Sequence, residues 1–324
     1  MNPKFFVILA IAAGACAAAN LNLAVDPGVK TFAGDVSEWP VPTPKFPRDP
    51  TVGLDGRIYF AVRNGSKIGR FDPASKRFQE WAAPAGVLPQ GIVVTRDAKV
   101  VFGGKHLGEL DPATGVFKQY RCAARDCQPY ALVLGAEDSV WFTDRQEGVL
   151  GKLDRSTGKI TEYQIGKDPY ALARDKHGNI WVTRMGADRL TKFDPATGEM
   201  TDLVLAKGSR PRRIALAPDG MLWVALYGSG RLAKIDPLTV QVTREYLLPG
   251  GVNGGPYTVN VDAGGRIWVG EIQTDSVIMV NPRSETIRVF RLPVRDSGVR
   301  GAAIDAEGRY WYIGSMSGRL GVVN

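Results

Sequence analysis

The sequence predicts an all-β fold, a seven-bladed β-propeller closed by an N-terminal strand that completes the last blade. Three observations carry this: a repeat of 40 to 45 residues, a hairpin in constant register within every repeat, and two chain ends holding complementary parts of one repeat. The repeats open at Pro47, Pro89, Pro129, Pro169, Pro211, Pro256 and Val299. Twelve residues after each opening stands Tyr59, Val101, Trp141, Trp181, Trp223, Trp268 or Trp311, although the repeat length varies. Insertions therefore fall in loops while one hairpin keeps its register, as a structural core requires.

Each repeat reads as four strands. The first two form a hairpin about a turn such as Asp55-Gly56 or Asp219-Gly220, with apolar alternation on both sides. The third ends in an Asp-Pro turn at Asp72-Pro73, Asp111-Pro112, Asp194-Pro195 and Asp236-Pro237, where the carboxylate caps the turn and proline pre-sets its backbone. The fourth carries a Glu-aromatic pair, as in Glu80-Trp81 and Glu162-Tyr163. The chain stops at Asn324, after only three strands of the seventh repeat, while residues 36–42 (VSEWPVP) read as an orphan fourth strand near the N-terminus. Joining the two closes the ring and removes an open sheet edge. The recurring Trp and Tyr positions are then core between blades.

Composition agrees. Gly (38) and Pro (21) are spread along 324 residues, which disfavours a helical bundle, and a 44% hydrophobic fraction is ordinary for a globular chain. The net charge of +8 suits an anionic ligand or surface, but no Lys/Arg run stands out as a nucleic-acid arm.

Residues 1–19 read as a signal peptide. Lys4 precedes an apolar run from Phe5 to Ala13 that is too short to span a bilayer, and Ala17-Ala18-Ala19 offers a cleavage site before Asn20. A competing reading takes Ala13-Gly14-Ala15-Cys16 as a lipobox and Cys16 as a lipid anchor. Either way residues 20–324 form one exported domain, periplasmic or secreted, with no transmembrane segment, and a monomer is expected. In an oxidising compartment the C-x4-C pair Cys122 and Cys127 reads as a local disulfide, since no nearby His completes a zinc module.

Antiparallel pairing places the repeat openings and the residues three past the aromatic position at one mouth of the channel. The positions after the openings are Arg48, Gln90, Tyr130, Tyr170, Arg212, Tyr257 and Arg300. Three past the aromatic come Asp144, Arg184 and Glu271 among smaller residues. Arginine forks, tyrosine walls and counter-charges at a concave mouth point to a small polar or anionic ligand or an exported protein partner.

The motifs PYALVLGAEDSVWFTD and PYTVNVDAGGRIWVGE resemble the repeat of the virginiamycin B lyase (streptogramin lyase) family of seven-bladed propellers, and the resemblance spans essentially the whole mature chain. It implies Mg2+-dependent carbon–oxygen bond elimination that opens a cyclic ester, with His and Glu at the mouth. Asp144 and Glu271 align with the family's carboxylate and become candidate Mg2+ ligands. The family's Pro-His is here Pro129-Tyr130, Pro169-Tyr170 and Pro256-Tyr257, and the chain has only two histidines, His106 and His177, read as solvated loop residues. No catalytic residue is assigned. Tyr130 or Tyr257 would serve as a base only if neighbouring arginines lowered its pKa well below about 10.

Overall fold

A computed structural model describes residues 30–32, 35–122 and 126–324. The signal-peptide reading of residues 1–19 and the anchor reading of Cys16 lie outside the described residues. The strands form seven sheets arranged as a propeller. Blade 3 shows the pattern: Pro129–Leu134, Val140–Asp144, Val149–Leu153 and Ile160–Gln164 pair antiparallel in chain order. The predicted register holds in the pairs Pro47↔Val62, Pro129↔Asp144, Pro169↔Arg184, Pro211↔Leu226, Pro256↔Glu271 and Val299↔Gly314.

In blade 7 the strand Val36–Pro40 pairs antiparallel with Arg319–Val323, Trp39 lying opposite Leu320. The Trp39 ring lies 5.0 Å from that of Phe71 and 6.0 Å from that of Trp311, so this strand also packs against blade 1. One strand was not foreseen. Lys30–Phe32 runs parallel to Thr286–Arg291 as a fifth, outermost strand of blade 6.

The core consists of seven wedges, each packed between adjacent blades. The aromatic at the twelfth position enters them, with Trp181, Trp223 and Trp311 fully buried. A buried indole N–H needs an acceptor, and in blades 4, 6 and 7 the hairpin turn supplies it. Asp175, Asp262 and Asp305 accept from Trp181, Trp268 and Trp311 at 2.9, 3.0 and 2.7 Å. Close approach inside a blade also needs glycine. A Cβ at Gly69 or Gly151 on the third strand would overlap the ring of Phe60 or Phe142 on the second.

The Asp-Pro turns are capped as expected, for example by Asp72 on the Ala74 N–H at 2.9 Å and by Asp194 on the Ala196 N–H at 2.8 Å. Cys122 and Cys127 form a disulfide, and both pack into the wedge between blades 2 and 3. Among the described residues, no helix is long and apolar enough to cross a membrane.

Removing the Asp305 carboxylate strands the Trp311 N–H in the core. Asp305→Ala is expected to cost about 1–3 kcal/mol, the penalty for a buried unsatisfied donor. Asp219→Ala, in a turn whose carboxylate bonds Lys234 and the Met221 N–H but no indole, should cost under about 1 kcal/mol as an exposed pair does. Urea unfolding of both variants checks this; equal losses would show that the indole bond is not what matters.

Candidate functional site

The residue after each opening reaches the axis because the first strand leaves its ladder there. The register shifts just past the opening in blades 1, 3, 4, 5 and 7, and a bulge of this kind re-aims side chains. Threonines on the second strands fill the gaps. Thr143 accepts from the Ala131 N–H at 3.3 Å and donates to the Tyr170 carbonyl of the next blade at 3.1 Å. Thr183 accepts from the Ala171 N–H at 3.0 Å and donates to the Arg212 carbonyl at 2.6 Å. Each threonine therefore fixes where the neighbouring blade's mouth residue stands.

The structure brings Arg48, Gln90, Tyr130, Tyr170, Arg212, Tyr257 and Arg300 into one cluster. Arg48 donates to Gln90 Oε1 at 3.3 Å and to Tyr130 Oη at 3.0 Å. Tyr130 Oη donates to Tyr170 Oη at 2.8 Å, and Tyr170 Oη is hydrogen-bonded in turn to Tyr257 Oη. Arg212 donates to Tyr170 Oη at 2.9 Å and lies over the rings of Tyr170, Tyr227 and Tyr257 at 4.9, 4.4 and 4.8 Å. Arg300 lies over Phe46 and Tyr257 at 5.6 and 5.5 Å. Arg145 covers Tyr130 and Tyr170 from the loop side and pairs with Asp168 at 2.8 Å.

Two further members, Asp49 and Arg213, lie one residue beyond the positions that the spacing assigns to the mouth. They stand two past the openings of blades 1 and 5 and form an ion pair across the axis, with Arg48 3.6 Å from the same carboxylate. The bulge is the reason, since it turns two consecutive residues inward. Beneath this pair the channel widens into a cavity of about 490 Å3, walled by first-strand residues such as Ile92, Leu132, Ile214 and Asn260. The Arg/Tyr cluster thus closes the channel at one mouth; it is a plug more than an open ring.

The electrostatics are lopsided. Arg48 and Arg213 share one carboxylate, Asp49, whereas Arg212 and Arg300 have no carboxylate partner among the described residues, and there the Nε of all four is buried without a hydrogen bond. Burial alone would raise the Tyr130 phenol, but Arg48 and Arg213 outweigh it and bring its pKa down to about 7. Tyr170 moves the other way, driven up by burial and by its phenolic neighbours. Arg48 stays firmly protonated: burial works against its charge, and the fields of Tyr130 and Asp49 more than offset that.

Other expected site residues lie elsewhere. Arg184 is half-buried but turns outward to Asp202, 3.3 Å away on the outer strand of its own blade, and so stands apart from the cluster. Asp144 and Glu271 are buried and anchor loops. Asp144 accepts from the backbone N–H groups of Gln128, Gln146 and Glu147 at 2.8, 3.2 and 3.3 Å. Glu271 accepts from the Gly250 N–H at 3.1 Å and Thr274 Oγ1 at 2.8 Å, and a Cβ at Gly250 or Gly254 would come within 2.5 Å of a carboxylate oxygen. Burial pushes the Glu271 carboxyl up. Mg2+ is held by one or two carboxylates with waters completing its shell, and here the oxygens of both candidates, Asp144 and Glu271, already accept from loop donors. His177 is exposed as expected, whereas His106 is half-buried, its Nε2 without a partner and its pKa lowered by burial and by Arg121.

The model of the virginiamycin B lyase family matches residues 24–167 and 84–324. A streptogramin B lyase structure superposes with a TM-score of 0.82 at 22% identity, over 89% of this chain and 97% of that one. Virginiamycin B lyase from Staphylococcus aureus, in selenomethionine form, gives 0.81 at 19% identity over 89% and 98%. A hydrazine synthase structure from Kuenenia stuttgartiensis gives 0.75 at 14% identity over 88% and 97%. At these identities the structural likeness shows the fold alone. No curated protein matches the chain.

The Tyr130 shift sets a pH dependence of stability. The unfolded phenol titrates near 10 and the folded one at about 7, so between these values the unfolded chain binds more protons and stability rises with pH. Below about 7 the contribution is gone. Urea unfolding of the native protein and Tyr130→Phe should therefore diverge in favour of the native protein as pH rises from about 7 to about 10. Parallel curves would contradict the assignment.

Proposed function

The chain belongs to the virginiamycin B lyase family, and we propose that it binds a small anionic ligand, a carboxylate or similar oxyanion, at the Arg/Tyr mouth. One observation carries this reading: four guanidiniums at one mouth, two sharing the Asp49 carboxylate and two with no carboxylate partner, each with a buried Nε that has no acceptor among the described residues. Burying an uncompensated charge costs several kcal/mol, and an incoming oxyanion offsets that cost while presenting lone pairs to planar donors. Arg212 and Arg300 are half-buried, so they remain within reach of a ligand that Arg48, nearly fully buried, supports from behind. Export of the protein to the periplasm or beyond goes with this reading, and the disulfide supports it.

A second reading, a carbon–oxygen lyase acting on a cyclic ester, draws on family membership and on the lowered pKa of Tyr130, the one group here able to serve as a base near neutral pH. Asp144 and Glu271, the candidate Mg2+ ligands, give their oxygens to loop donors while the arginines crowd the mouth, so the binding reading stands first.

The test is a thermal-shift titration with acetate, sulfate and phosphate at constant ionic strength, with chloride as control, followed by Mg2+ and EDTA. At a hundredfold excess over its dissociation constant, an anion that binds only the folded state adds about 2.7 kcal/mol, roughly 4 °C for a chain of this size. Arg212→Ala and Arg300→Ala should each weaken the shift, and together abolish it. A shift that survives the double change places the anion elsewhere. A Mg2+ shift removed by Glu271→Ala, with no anion response, would favour the lyase instead.

A further inference from the structure

The three phenols at the mouth form a hydrogen-bonded chain reached by guanidinium donors. The Tyr130–Tyr170–Tyr257 oxygens are joined by two hydrogen bonds, and two protons make both. The third proton has no acceptor among the described residues, and what reaches these oxygens from outside are guanidinium donors, Arg48 on Tyr130 at 3.0 Å and Arg212 on Tyr170 at 2.9 Å. Donors aimed at a phenolic oxygen favour its anionic form.

We propose that this hydroxyl chain is the proton acceptor of the anion site: one phenolate shared over three oxygens in the free protein, converted to phenol as an anion seats on Arg212 and Arg300. The proposal rests on the anion reading above and adds the fate of a proton. The balance is simple. The phenolate oxygen gains the proton, forming one O–H bond; an anion brings the proton from solvent, and an acid brings it from its own O–H, whose electron pair stays on the ligand. The ligand thus enters, in net terms, as its neutral acid.

The charges around the chain explain the coupling. On the inner side Arg48 and Arg213 hold the phenolate against the opposing field of Asp49. On the loop side Arg145 covers Tyr130 and Tyr170, its own charge paired with Asp168. Phe46 lends its ring to Arg48 and Arg300, and Tyr227 lends its ring to Arg212 while its hydroxyl accepts from Gln273. Bringing a second anion among these guanidiniums repels the phenolate and raises its pKa. Because the phenols share protons, the titration belongs to the chain and not to one residue.

The experiment follows the near-ultraviolet absorbance of tyrosinate against pH in the native protein, with and without saturating acetate, alongside a proton-uptake measurement in weakly buffered solution. One of the ten tyrosines is expected to ionise with a midpoint near 7 in the free protein. Acetate should bleach that band at pH 8 with uptake of up to one proton per acetate bound, and Tyr130→Phe should remove both signals. Tyr257→Phe, which leaves the Arg48–Tyr130 contact in place, gives a second variant should the first not fold. If all tyrosines ionise above about pH 9, as unperturbed phenols do, the proposal is overturned. Acetate that raises the melting midpoint while leaving the tyrosinate band and proton count unchanged overturns it too, with the anion reading intact. Acetate that changes neither melting nor absorbance overturns the anion reading itself.

Discussion

Charge has to be balanced on the propeller axis, and the Asp49–Arg213 ion pair is where the balance begins. Seven first strands converge there, and Arg48 and Asp49 are buried where they meet. A buried guanidinium is tolerated only with a counter-charge and hydrogen-bond acceptors close by. Asp49 provides the charge for Arg213 from across the ring, with Arg48 beside it. Gly301 provides the room, since a Cβ there would come within 2.5 Å of the Asp49 backbone. Phenolic oxygens then serve as acceptors for Arg48 and Arg212. The plug is thus a consequence of placing so many arginines on one axis.

Delivering those side chains is a backbone problem. A regular antiparallel strand sends alternate residues to opposite faces, so two consecutive residues cannot both face the axis. The bulge just past the opening, present in blades 1, 3, 4, 5 and 7, breaks the alternation. Thr143 and Thr183 then tie the displaced strand to its hairpin and to the next blade. The geometry of the mouth therefore depends on contacts between blades, and the closing strand at Val36–Pro40 matters to the site because it fixes blade 7 beside blade 1, which carry Arg300 and Arg48.

The fold was legible because its signal is repeated. A twelve-residue offset found seven times fixes a hairpin register, and the register fixes which residues stand at the mouth. That is why Arg48, Gln90, Tyr130, Tyr170, Arg212, Tyr257 and Arg300 could be named from spacing. Asp49 escaped notice as a site residue because simple alternation turns the next residue away from the axis, and a bulge leaves little mark in a single sequence. Arg184 misled for the opposite reason. Its register position is at the mouth, but Asp202 on its own blade draws the long side chain outward. The strand Lys30–Phe32 was hidden because three residues carry no periodicity to read.

Asp144 and Glu271 show how a family position can keep its residue and change its work. Both stand at the end of a second strand, beside the loop that leads on to the third, and there a carboxylate either faces the mouth or gathers the N–H groups of adjoining loops. In this chain each does the second. The same mouth carries Tyr where the family's repeat carries His. An imidazole accepts a proton near neutral pH without help, whereas a phenol does so only in a strongly positive field. At Tyr130 that field comes from Arg48 and Arg213, and the phenols in turn give Arg48 and Arg212 their acceptors.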